Sequence, residues 1–110
     1  MTNLEYVRQR DFFEVRRASG EAFNWKRINR CQAWYYHDTN TDLVWIKSYN
    51  TIVAVYDVYA GVLVSFGRYS MTTYQHIRKF RNNYAPYFTS FIYAGLEVEE
   101  VNLELTNWFK

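Results

Sequence analysis

Cys31, His37 and His76 are the only thiol and imidazole side chains in this 110-residue chain, so any nucleophilic or metal chemistry must begin with them. His37 follows Cys31 by six residues, with Asp38 beside it. A cysteine nucleophile needs a base within hydrogen-bond reach and a third group to orient that base. Nothing in this spacing brings such a set together. No His or Cys pair has the short spacing of a metal site, so neither a metal nor a cofactor is expected. Asp57 and Glu97 stand alone rather than as a carboxylate pair for acid–base work. The four glycines are scattered, which leaves no phosphate-cradling loop. The residues therefore point away from an enzyme. His76 is the one side chain whose chemistry exceeds its local structural need. Its first reading is a histidine hydrogen-bonded at a helix–sheet border.

The elements around these residues are clearest in the middle of the chain. Trp34 to His37 reads as a strand, Asp38 to Asp42 as a polar turn, and Leu43 to Lys47 as the returning strand. Ser48-Tyr49-Asn50 turns again. Thr51 to Tyr59 is rich in Val, Ile and Tyr on both faces, as in a strand inside a sheet. Residues 57–61 offer a turn and Val62 to Phe66 a further strand. Gly67 breaks the sheet and Ser70 caps a helix over residues 70–82, because its hydroxyl can accept from an orphaned amide one turn on. Thr73, Ile77, Phe80 and Tyr84 recur at helical spacing to form the inward face. Gln75, Arg78, Lys79 and Asn82 point outward, with His76 at the border. Ala85-Pro86 ends the helix.

The flanks are less determined. Asn3 could cap a helix carrying Leu4, Val7 and Phe12 or Phe13, while Phe13 to Val15 also fits a strand. Ser19-Gly20 is a break and Phe23 to Ile28 reads as a short helix. Tyr87 to Tyr93 fits helix or strand, and Val98, Val101, Leu103 and Leu105 mix two periods. The expected architecture is a single α+β domain over residues 1–110: an antiparallel β-meander of about four strands with one amphipathic helix, 70–82, packed on a face.

Two segments carry a resemblance. Ser48-Tyr49-Asn50-Thr51 with Val53-Ala54 gives the pattern S-Y-x-T-x-V-A-x-Y. Tyr69-Ser70 with Thr72-Thr73, His76-Ile77 and Phe80 gives Y-S-x-T-T-x-x-H-I-x-x-F. Together they resemble small uncharacterised proteins encoded by bacteriophages and prophages. The resemblance covers residues 48–80 and implies a mobile-element origin, without a specific biochemical role.

Composition narrows the partner. Aromatic residues make up 21% of the chain, with eleven Tyr, eight Phe and four Trp, more than so small a core can hide. Surplus Tyr, Trp and Arg are the residue types that anchor protein interfaces. Residues 1–81 hold twelve Lys/Arg against seven Asp/Glu, and residues 82–110 one against four. A net charge of +2 speaks against a DNA mimic, which needs a dense carboxylate surface. The lone cysteine suits a reducing compartment, no leader is visible, and no segment is long enough to span a bilayer. Cytoplasm is expected, the host's if the chain is phage-encoded.

The expectation is thus a phage-type accessory protein that binds and inhibits a host protein or protein–nucleic acid complex, such as a CRISPR-like defence effector. An anti-CRISPR role is one form of it. Arg68, Tyr69, Gln75, His76, Arg78, Lys79 and Arg81 are the expected contact residues. The alternative is a nucleic-acid-binding or regulatory protein of a mobile element, with Tyr69 and Tyr74 stacking on bases beside these cations.

Overall fold

The computed structural model describes residues 2–10, 24–85, 90–95 and 97–100. Seven strands form one mixed sheet in sequence order: β1 Lys26–Arg27, β2 Ala33–Asp38, β3 Leu43–Ser48, β4 Thr51–Asp57, β5 Val62–Ser65, β6 Ser90–Ala94 and β7 Val98–Glu100. Helix α1 spans Asn3–Gln9 and α2 spans Met71–Tyr84. The four-strand meander with one helix is therefore too small a fold. Its strands survive as β2 to β5, paired antiparallel through short turns. What it omits is an edge strand of two residues, a second helix and the two strands after α2. Strand β6 runs parallel to β5, because α2 carries the chain back to the end where β5 began.

Strands β3 and β5 are buried almost end to end, as strands covered on both faces should be. On one face α2 packs over β3, placing Ile77, Tyr74 and Phe80 against Val44, Ile46, Leu63 and Phe91. On the other, α1 lies over β6 and β7, and Val7 joins Leu43, Trp45, Val55, Val62, Val64 and Ile92. The register between β3 and β4 slips at Ile46/Lys47, so Val53 is an extra residue in β4. Such a bulge breaks the alternation. Val53 and Ala54 consequently enter the same, α2-side core.

The helix ends are chemically specified. Ser70 caps α2 by accepting from the Thr73 amide at 3.4 Å, as its position in the sequence predicts, and the helix runs two residues beyond Asn82. Helix α1 is capped by Thr2 rather than Asn3. The Thr2 hydroxyl accepts from the Glu5 amide at 3.1 Å, and the Glu5 carboxylate accepts from the Thr2 amide at 3.4 Å. The helix expected over Phe23 to Ile28 is replaced, where described, by β1 and its approach. Residues 12–15 and 101–105, read above as ambiguous, lie outside the described residues, as do residues 87–89 of the 87–93 segment.

Candidate binding surface

Strand β3 ends at Ser48, and α2 passes over it. Ser48 Oγ shares a 2.8 Å hydrogen bond with His76 Nδ1 and lies 3.3 Å from Thr73 Oγ1. Thr73 Oγ1 in turn accepts from Ser70 Oγ at 3.4 Å. All three of Ser48, Thr73 and His76 are buried, so this chain of hydroxyls and imidazole ties helix to sheet through the interior. Burial and the nearby Lys79 ammonium hold the His76 pKa below its ordinary value, which favours the neutral ring. The residues of the two resembling segments thus meet in one place.

A serine 2.8 Å from a histidine has the beginnings of a nucleophile–base pair. Here Ser48 is only 3% exposed and its oxygen also faces Thr73. A substrate carbonyl has no approach to that oxygen. His76 is hydrogen-bonded at the helix–sheet border, as its first reading expects.

Tyr49 is the residue that the network displays. The β3–β4 hairpin closes through Tyr49-Asn50 alone, and Tyr49 has φ 54°. An L-residue with a bulky side chain in this left-handed region costs about 1–2 kcal/mol, which is why glycine or asparagine is usual there. The ring nevertheless stays 53% exposed, tilted against His76 with centroids 5.6 Å apart. The Tyr49 amide donates to the Gln32 carbonyl at 2.8 Å, which pins the hairpin to the β1–β2 loop. From the helix, Lys79 Nζ reaches Cys31 Sγ at 3.1 Å, and from β1, Arg27 Nε donates to the Cys31 carbonyl at 2.8 Å. Loop 28–32, the Tyr49 hairpin and one flank of α2 therefore form a single corner, rimmed by exposed Arg30, Asn50, Thr72 and Gln75.

The expected contact residues separate on this frame. A helix turns about 100° per residue, so Lys79 and Arg81 fall on opposite flanks. Gln75, His76 and Lys79 belong to the Tyr49 corner, with His76 beneath it. Arg81 lies across the helix with Tyr74; it donates to Asn82 Oδ1 at 2.8 and 3.0 Å, and burial together with Arg78 lowers its pKa. Arg78 is half-buried, its Nε enclosed without a partner. Arg78 and Lys79 thus do not both project outward as the helical spacing suggests.

Arg68 sits at the other end of the surface. It stacks over Tyr93 at 4.4 Å and pairs with Glu99, beside a hollow of about 340 Å³ also lined by Glu97. Tyr69 packs partly into the α2-side core. Tyr74 is buried at 1%; its hydroxyl donates to the Gly67 carbonyl at 3.3 Å and accepts from the Tyr69 amide at 3.0 Å. It is not available to stack on a base.

Several residues fall elsewhere than their spacing suggests. Asp57 has no carboxylate beside it in these contacts but is not isolated: it is 1% exposed and accepts from the Tyr6 hydroxyl at 2.5 Å and from Arg10 Nη1 at 3.3 Å, which holds α1 in place. Tyr6 on α1 and Arg10 at its C-cap stand four apart, and that spacing was the available signal. Cys31 and His37 lie toward opposite ends of β2, and His37 Nε2 instead meets Asp42 Oδ1 at 3.4 Å. Among the described residues no group of three or more His, Cys, Asp or Glu could hold a metal ion. Nor is any described helix long and apolar enough to cross a membrane.

A family model described as a family of unknown function, DUF8033, matches residues 18–88, well over half of the chain. The chain belongs to this family. The matched span holds β1 through α2, and with them the whole Ser48–Thr73–His76 network and the Tyr49 corner; α1, β6 and β7 lie outside it. No curated protein and no solved structure matches the sequence.

Proposed function

We propose that this chain is a small phage-type accessory protein that binds a host protein through the Tyr49 corner and inhibits it without chemistry of its own. A CRISPR-like defence effector in the host cytoplasm is the target class we favour. The observation that carries the reading is Tyr49 itself. An aromatic ring is kept half in water on a strained backbone, supported from below by a buried hydrogen-bond network. Strain of that kind persists only where the surroundings over-determine it, and it gathers at sites of recognition. Tyrosine is also a favoured interface anchor. The phage origin and the target class rest on the resemblance of residues 48–80.

A specific feature also favours a nucleic-acid role. Arg27, Trp34 and Lys47 pair across β1, β2 and β3, with the cations 5.7 and 5.3 Å from the Trp34 ring and Lys47 4.6 Å from Trp25. Such interleaving suits single-stranded nucleic acid. The cations already occupy those ring faces, however, so we rank this reading second.

Affinity capture from a nuclease-treated bacterial lysate distinguishes the two. The parent chain should retain a protein that the Tyr49→Gly variant loses. Equal capture by both, or recovery of nucleic acid alone before nuclease treatment, counts against the first reading.

A further inference from the structure

We infer that the Tyr49 corner takes an acidic protein segment, one whose carboxylates meet Arg30 and Lys79 while an apolar side chain packs on the Tyr49 ring. This inference rests on the protein-binding reading above and adds the chemistry of the partner.

Arg27 and Lys79 converge on Cys31 from β1 and α2, and Arg30 stands exposed one residue before it. The described carboxylates are all elsewhere. Asp38 and Asp42 flank the turn at the other end of β2 and β3, roughly 17 Å away by strand geometry. Asp57 ends β4 beside Leu43 at that same far end. Glu97 and Glu99 lie at the opposite edge of the sheet, four strands beyond β3 and thus about 19 Å away. Glu5 sits on α1, against the other face. The corner thus carries positive charge that no described carboxylate offsets, and such a patch attracts a complementary surface. Its shape favours protein over nucleic acid. It is built from a hairpin tip, a loop and a helix flank, with a single exposed ring, where a nucleic-acid strand calls for a groove with successive stacking platforms.

The test uses the full chain and two fluorescein-labelled probes: a peptide of about ten residues, glutamate with one central leucine, and an oligothymidine of about fifteen nucleotides. Fluorescence anisotropy should show the peptide binding, and weakening several-fold as salt rises from about 50 to about 200 mM. The Arg30→Glu/Lys79→Glu double variant should lose about tenfold or more in affinity, and Arg8→Glu on α1 should lose little. Circular dichroism verifies that each variant is folded. Should the double reversal unfold the chain, Arg30→Ala and Lys79→Ala tested singly carry the same expectation with a smaller loss. Binding of oligothymidine in preference to the peptide overturns the inference, as does peptide binding that ignores both cations or no binding of either probe. If nuclease-resistant capture by the parent chain persists in those cases, only the acidic chemistry falls; if capture also fails, the protein-binding reading falls with it.

Discussion

His76 shows how far a single side chain can be read from its surroundings. Its folded pKa is lowered, chiefly by burial and then by Lys79, from the usual 6.5. Between those two values the unfolded chain binds a proton that the folded chain does not, so stability falls as pH drops through about 6.5 and levels off below the folded pKa. Thermal unfolding followed from pH 7.5 down to 5 should show this decline, and His76→Gln should flatten it. An unchanged slope in the variant would assign the pH dependence to another group. Tyr49 supports the opposite kind of test. Tyr49→Gly removes a backbone strain of about 1–2 kcal/mol together with one ring contact, so the melting temperature should hold or rise while partner binding is lost. A fall of several degrees with binding intact would make the tyrosine structural instead.

Elements were legible where local rules and tertiary packing agree. Helix α2 follows from its Ser70 cap and from Thr73, Ile77 and Phe80, which are buried as the spacing requires, whereas Tyr84, the fourth residue of that expected inward face, is 42% exposed at the helix end. Strands β3 to β5 follow from segments rich in Val, Leu and Ile. Tyr74 was misread because a tyrosine with an internal hydroxyl partner looks like a surface residue in sequence. Strand β1 is held by pairing to β2 and by the Arg27–Trp34–Lys47 row, none of which a two-residue strand can announce. The candidate site was legible in part: Gln75, His76 and Lys79 fall at the corner, whereas Tyr49 and Arg30 gain their meaning only from the loop and hairpin brought beside them. Asp57 had no visible partner because Tyr6 and Arg10 lie some fifty residues away. That distance makes α1 a testable element. Asp57→Asn weakens the charge-assisted bonds from both and perturbs the turn at Ala60, whose amide donates to Asp57 Oδ1. We expect a loss of about 2–3 kcal/mol in denaturant unfolding, with faster amide exchange concentrated in α1. Uniform exchange across the sheet would show that the carboxylate serves the turn rather than the helix.

The whole molecule is organised around a sheet that carries a hydrophobic cluster on each face. Phe91 and Ile92 are neighbours in β6, yet Phe91 packs under α2 and Ile92 belongs with Val7 of α1. A perturbation on one face must therefore be felt through the same backbone as one on the other. Phe91→Ala should cost about 3–5 kcal/mol and Ile92→Ala about 2–5 kcal/mol, each from lost burial and the cavity left behind. Because the strands are shared, neither variant should unfold one layer alone. Trp45 is buried in the α1-side cluster and so contributes a signal from that face, while far-UV circular dichroism follows all the strands and α2. In the Phe91→Ala variant, whose lesion lies on the α2 side, the two transitions should coincide at one lowered midpoint. Separation of the tryptophan transition from the dichroism transition would mean that the α1-side layer can stand after the α2-side layer has melted. The Tyr49 corner would then belong to a unit able to open while the rest of the sheet stays folded, and binding there would be expected to raise the first midpoint alone.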